Sequence, residues 1–295
     1  MILRAWDGYS LKLTLYPSFT LSLLKSVGNT YVKRLGLYRG LAFEDYLNGV
    51  KVRHSDYDLN YVKELCGIVE DPLNLISHVD PKFNDVYYYL IMQWRGVGLS
   101  TASKDFDYIF IATFLSKRTS YHSNVLSWID KIFSIVGDVD EILNINVSEM
   151  FKSPQTKELN TALRNYMYNV RPYVIRGDVD AVRNSLLEVR GVGPKIVYAY
   201  LLHAMRCTDI APADTHLTYF TNKVLGLNVG QPIKKLCLKY ECRNCKHNCI
   251  VGYLKEVFGS ALGYMQTVVY VHVKTLCKKG KCDVCMLRTH NLCRI

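Results

Sequence analysis

The sequence predicts a mainly α protein of the α+β class: a small antiparallel β-sheet at the N-terminus, an all-helical body, and cysteine-rich loops near the C-terminus. Three observations carry this expectation. Apolar residues alternate with period two in parts of the first 55 positions, the period becomes helical from about Asp56, and eight of the ten cysteines lie beyond residue 230. With 295 residues, 49% of them hydrophobic, the chain can build one large core or two smaller ones. The expected segments are a β-containing 1–98, a helical 99–230, and a helical, metal-binding 231–295.

Leu11, Leu13 and Leu15, then Phe19, Leu21 and Leu23, read as alternating strands, and Asn48-Gly49 before "VKV" is a two-residue hairpin signal. Asp71-Pro72 and Asp80-Pro81 each join an N-cap carboxylate to a proline suited to a first helical position. Further helices are expected near 105–116, 122–136, 155–170, 178–189 and 194–206.

Residues 186 to 205, "LLEVRGVGPKIVYAYLLHAM", read as helix, tight hairpin, helix. Gly191 and Gly193 can supply positive φ or a close backbone approach, and Pro194 suits the opening of the second helix. Lys195 then falls in a first turn, where the helix dipole disfavours a cation. Folding does not call for it there. Nineteen residues on, in "IAPADTHLTYF", Asp214 lies between apolar stretches. A carboxylate in that setting caps a helix, pairs with a cation, or works.

The formal charge is +11, and from Gln231 onward there are 12 Lys and Arg against three acids, so +9 of it lies in the last 65 residues. A polyanion suits such a tail, although a solvated basic surface would carry the same charge, and charge alone does not separate DNA, RNA and acidic lipid. No apolar run approaches the roughly 20 residues of a membrane span, and the start lacks the apolar region of a secretory signal. The expectation is an intracellular protein without a membrane partner. In that compartment ten cysteines favour metal over disulfides. Cys237, Cys242, Cys245 and Cys249 form C-x4-C-x2-C-x3-C; Cys277, Cys282, Cys285 and Cys293 form C-x4-C-x2-C-x7-C. "LCLKYECRNC" and "LCKKGKCDVC" repeat in register at an offset of 40 residues. Cys66 and Cys207 read as buried apolar residues.

"GVGPK" followed by "PADTH", with a four-cysteine loop at the extreme C-terminus, resembles the helix-hairpin-helix (HhH-GPD) DNA glycosylase superfamily, the group of endonuclease III and 8-oxoguanine DNA glycosylase. "DFDYIFIATFLSKRTSYHSNVLSWIDKIF" resembles its first core helix and the loop that enters DNA. "VYYYLIMQWRGVGL" and the sheet before it resemble the extra N-terminal domain of 8-oxoguanine and alkyl-base glycosylases.

The resemblance implies a two-lobed helical body and a bifunctional DNA glycosylase and AP lyase of base excision repair, acting as a monomer on double-stranded DNA with a damaged base, in the cytoplasm or nucleoid, or in a nucleus. Lys195 matches the nucleophile that forms a Schiff base before β-elimination, and Asp214 the carboxylate that stabilises the developing oxocarbenium ion. A positive helix end, basic surroundings and partial burial would all lower the lysine pKa. Gly191, Gly193 and Arg190 would meet a phosphate, Arg118 would fill the gap left by the flipped base with Lys117 beside it, and Lys278 and Lys279 would add phosphate contacts. Cys277, Cys282, Cys285 and Cys293 would hold a [4Fe-4S] cluster, with His290 an alternative ligand. The first cysteine group has no counterpart in the family, and zinc or a second iron–sulfur cluster are both open for it.

The sequence departs from the family at Val189-Arg190, where Leu-Pro is usual, and in its terminal cysteine spacing. The lesion favoured by analogy is an oxidised base, 8-oxoguanine first. Other readings are a monofunctional glycosylase for alkylated or deaminated bases, a non-catalytic DNA-binding protein, and a two-cluster electron carrier.

Overall fold

A computed structural model describes residues 1–53 and 57–294, apart from the side chain of Arg243. The change of period expected at Asp56 lies outside the described residues; the first helix beyond it, Leu59–Cys66, is capped by Asp58. Five strands form one antiparallel sheet: β1 (Ile2–Arg4), β2 (Leu24–Val27), β3 (Thr30–Lys33), β4 (Ala42–Tyr46) and β5 (Gly49–Arg53). Their spatial order is β1-β5-β4-β3-β2. A hairpin does join β4 to β5, but its two turn residues are Leu47 and Asn48, one position before the expected Asn48-Gly49: Gly49 already pairs with Tyr46 in β5, and Asn48 takes the positive φ of 48°. A second two-residue turn, Gly28-Asn29, joins β2 to β3, and no sequence expectation covered it.

Two expected strands are helical. Leu11–Leu15 is an α-helical turn and Phe19–Leu23 a 3-10 helix, because Ser10 and Ser18 cap them and the Asp45 carboxylate accepts the Leu11 N–H at 2.5 Å. The leucines still point inward: Leu11, Leu15 and Leu23 are buried, while Leu13 is exposed. Period two over so few residues does not exclude a helix whose first N–H groups have found acceptors. Asp71-Pro72 and Asp80-Pro81 do cap helices, but 3-10 ones, Pro72–His78 and Pro81–Phe83.

The later helices fall where expected. Phe106–Leu115 is buried from Tyr108 onward, so it forms the centre of the body; Pro154–Asn169 and Pro194–Met205 pack against it. The residues expected at 122–136 divide into a π-helical turn, Tyr121–Val125, and the helix Leu126–Ile132. Across this seam the Tyr166 hydroxyl donates to Asp107 and meets Tyr200, both at 2.9 Å, and Arg171 pairs with Asp107 at 3.0 Å. Burial nevertheless pushes the Asp107 carboxyl up to about 6, against the pull of Arg171.

The sheet is fastened to the body by a buried ion pair. Lys33 Nζ, at the end of β3, lies 2.6 Å from Asp105, which precedes the central helix, and both side chains are almost wholly inaccessible. Asp105 also accepts the Leu37 N–H at 2.7 Å and the Tyr61 hydroxyl proton. Burial lowers the Lys33 pKa even though Asp105 raises it. The C-terminal helix Leu262–Thr275 packs back on Asn84–Gln93, and a continuous buried core runs through all three expected segments. Among the described residues no helix is long and apolar enough to cross a membrane. Cys66 is buried as expected; Cys207 is only half-buried.

Candidate active site and cysteine loops

Val179–Glu188 and Pro194–Met205 are the two helices of the expected hairpin motif. Gly191 has φ +80°, and a Cβ there would lie 2.8 Å from both Lys117 Nζ and Glu158 Oε2. Gly193 differs from expectation: its φ is −122° and a Cβ would meet nothing within 4 Å. Its role in the hairpin is therefore openness towards the cleft rather than unusual backbone geometry. The Val192 N–H is taken up by Val189 O, and Lys234 Nζ donates to Val192 O at 2.8 Å. Arg190 is exposed beside the turn.

Lys195 opens the second helix with its amine 3.4 Å from Ser116 O and 3.5 Å from Ser116 Oγ, at the end of the central helix. The Ser116 hydroxyl donates to Thr113 O at 2.7 Å, which leaves its lone pairs to the lysine. Among the described residues the Lys195 amine makes no ion pair. Burial lowers its pKa, and the charge of Asp214 partly restores it. The shift is in the direction that favours the neutral amine, the form a nucleophilic lysine needs.

Asp214 caps a helix with one carboxylate oxygen and turns the other towards side chains. Its Oδ1 accepts from the N–H of His216 at 2.9 Å and of Leu217 at 2.7 Å, so it starts the helix Thr215–Tyr219. Its Oδ2 faces Gln266 Nε2 at 3.4 Å and His216 Nδ1 at 3.9 Å. Burial lowers the His216 pKa; Asp214 opposes this, and Lys278, Lys274 and Lys195 add to it. The charges of three lysines from three elements thus act on His216, Lys278 of the terminal loop among them.

A cleft of about 950 Å³ opens beside Lys195, lined by Gly193, Arg118, Trp128, Gln155 and Ala213 among others. Arg118 is exposed at φ +51°, a strained conformation for a non-glycine residue. Lys117 does not project freely: it pairs with Glu158 and lies 3.9 Å from the centroid of the Phe114 ring. Gln155 holds the same loop by donating to Lys117 O at 2.6 Å. Sequence reasoning missed Ser116, Gln266, Lys274 and Lys234. Ser116 adjoins the expected DNA-entering loop, but the other three carry no local signal, being far from the motifs along the chain.

All eight grouped cysteines are free thiols, and among the described residues no set of three or more His, Cys, Asp or Glu is arranged to hold a metal ion as it stands. In the terminal group, burial first, then the charges of Cys285, Cys293 and Cys282, push the Cys277 thiol up to about 12. Cys285 Sγ lies 3.7 Å from His272 Nε2. His290 stacks on Tyr89 with centroids 3.7 Å apart, which occupies it elsewhere. Four soft thiols gathered in one loop fit an iron–sulfur cluster by donor type. Lys278 and Lys279 stand exposed in the same loop.

No protein-family model matches the chain. It is 25% identical over 191 residues to Endonuclease III of Sulfolobus acidocaldarius, covering 61% of this chain and 78% of that one. A probable N-glycosylase/DNA lyase of Methanothermobacter thermautotrophicus is 26% identical over 97 residues, 33% of this chain and 26% of its own length. Among solved structures, Clostridium acetobutylicum 8-oxoguanine glycosylase/lyase bound to double-stranded DNA superposes with a TM-score of 0.68 at 16% identity, over 93% of this chain and 97% of that one. The 3-methyladenine DNA-glycosylase of Archaeoglobus fulgidus gives 0.67 at 10% identity, over 93% and 99%. The chain is thus similar in sequence to an endonuclease III and shares the fold of helix-hairpin-helix DNA glycosylases.

Proposed function

We propose that this protein is a bifunctional DNA glycosylase and AP lyase that works as a monomer inside the cell on damaged double-stranded DNA. The observation that carries the reading is the Lys195 amine: half-buried, without an ion pair among the described residues, lowered in pKa, and beside an open cleft. In this reading the hairpin seats a phosphate against Gly191, Gly193 and Arg190, the damaged nucleotide turns out of the stack, and Arg118 fills the gap. As the glycosidic bond breaks, the Asp214 carboxylate stabilises the positive charge developing on the sugar. The neutral amine of Lys195 attacks C1′ while the departing base carries away the bonding electron pair; the nitrogen then loses a proton, and its lone pair expels O4′, which takes up a proton as the sugar ring opens, to give the protonated Schiff base. Removal of a proton from C2′ then expels the 3′ phosphate by β-elimination.

Cys277, Cys282, Cys285 and Cys293 would hold a [4Fe-4S] cluster that fixes the loop bearing Lys278 and Lys279 against DNA. The favoured substrate is an oxidised base, 8-oxoguanine first, on the ground that a solved relative of this fold acts on that lesion. Borohydride trapping on duplexes carrying 8-oxoguanine, thymine glycol, uracil or an abasic site tests the reading. The expected result is a covalent adduct on the abasic and one lesion duplex that Lys195→Gln abolishes. Absence of any adduct, with the abasic duplex included, would overturn the lyase mechanism.

A further inference from the structure

The first cysteine group plays no part in the mechanism above. Cys237 lies in the helix Lys234–Lys239, Cys242 opens and Cys245 follows the 3-10 turn Cys242–Asn244, and Cys249 precedes the helix Ile250–Phe258. Three separate turns thus bring their thiols to the wall of one cavity of about 130 Å³, with Arg183, Tyr240 and His247 completing its lining. The loop is closed by a bridge in which Gly230 donates to Asn248 O at 3.0 Å and accepts from the Ile250 N–H at 2.9 Å.

This pocket is built onto the back of the hairpin motif. The Tyr198 hydroxyl stands 3.6 Å from Cys242 Sγ and 3.9 Å from Cys237 Sγ, and Tyr198 follows Lys195 by one helical turn. From the first hairpin helix, Arg183 donates to Cys237 O at 2.6 Å and to Tyr240 O at 3.0 Å. From the cysteine loop, Lys234 caps the hairpin carbonyl of Val192. Three side chains therefore join the two units, and two of them come from the helices that frame the hairpin.

We propose that Cys237, Cys242, Cys245 and Cys249 hold an iron–sulfur cluster, additional to the terminal one, that braces the DNA-binding hairpin from behind. Four thiols on the wall of one cavity match, by donor type, the all-cysteine ligand set of an iron–sulfur cluster. The in-register repeat of "LCLKYECRNC" as "LCKKGKCDVC" gives both groups the same central spacing, one cysteine and then C-x2-C. The Tyr198 hydroxyl supplies the kind of hydrogen bond to sulfur that tunes a cluster's reduction potential.

Iron, zinc and acid-labile sulfide are measured on the full chain purified without oxygen. The expected content is about eight iron and eight sulfide per chain, two cubane clusters, falling to about four of each in Cys242→Ser/Cys245→Ser. Iron that Cys242→Ser/Cys245→Ser leaves unchanged, or zinc in its place that this variant removes, overturns the proposal. Tyr198→Phe, which preserves packing, is expected to keep all the iron and to lower the potential of one cluster while leaving the other unchanged; two unshifted potentials overturn the contact with sulfur. The iron content does not depend on Lys195 chemistry, so it stands or falls apart from the glycosylase reading. Only the bracing role rests on that reading: Lys234→Met is expected to retain the iron yet bind an abasic duplex about tenfold more weakly, and unchanged affinity overturns that role.

Discussion

Lys195 Nζ hydrogen-bonds to the carbonyl and hydroxyl oxygens of Ser116, so the candidate nucleophile is held by neutral acceptors and meets Asp214 only through its field. A lysine tied directly to a carboxylate would stay protonated; one held by neutral oxygens in a buried site loses its proton more readily. The rate of Schiff-base formation at an abasic site is therefore expected to rise with pH through a midpoint below the ordinary lysine value of 10.5. Asp214→Asn removes the charge that raises this pKa. It should move the midpoint to lower pH while lowering the maximal rate by about 10²-fold or more. A midpoint that moves upward would contradict the assigned electrostatics.

The two hairpin glycines should separate on substitution. Gly191→Ala puts a side chain at φ +80° and within 2.8 Å of the Lys117–Glu158 pair, so it should cost about 1–2 kcal/mol of stability, read by denaturant unfolding. Gly193→Ala meets open space at an ordinary φ and should leave stability unchanged. Its effect should appear only in weaker binding to duplex DNA, where the added methyl stands between backbone and phosphate.

Lys33→Met leaves the Asp105 carboxylate buried without its cation. The expected loss is about 3–5 kcal/mol in equilibrium unfolding. Lys33→Met combined with Asp105→Asn should recover part of it, because an amide oxygen can still accept the Leu37 N–H. A loss below about 1 kcal/mol for Lys33→Met alone would show that the pair does not fasten the sheet.

Asp107 gives a pH-dependent test with a definite sign. Its folded pKa, about 6, lies above the ordinary 3.8, so between these values the native state binds more protons than the unfolded chain. Its contribution to stability is thus fully present below about pH 4 and is lost as pH rises through 6. Relative to Asp107→Asn, the unaltered protein should gain on the order of 2 kcal/mol on going from pH 7 to pH 4. Thermal unfolding of both proteins across that range measures it, and a constant difference between them would contradict the assignment.

Helix positions in the body and the hairpin motif with Lys195 and Asp214 were legible in the sequence because the physics behind them is local. A capping carboxylate, a proline at a first turn, a glycine at positive φ and an apolar face each declare themselves within a few residues. The same locality explains the failures. Leu11–Leu15 and Phe19–Leu23 alternate like strands, yet Asp45, thirty-four residues from Leu11, supplies an acceptor that starts the first as a helix. What only the tertiary structure decided is which distant groups meet: Ser116 with Lys195, Gln266 with Asp214, Lys33 with Asp105, and Tyr198 with the sulfurs of Cys237 and Cys242. These pairings depend on burial, which makes an unpaired polar group costly and so selects partners by three-dimensional proximity rather than by spacing along the chain.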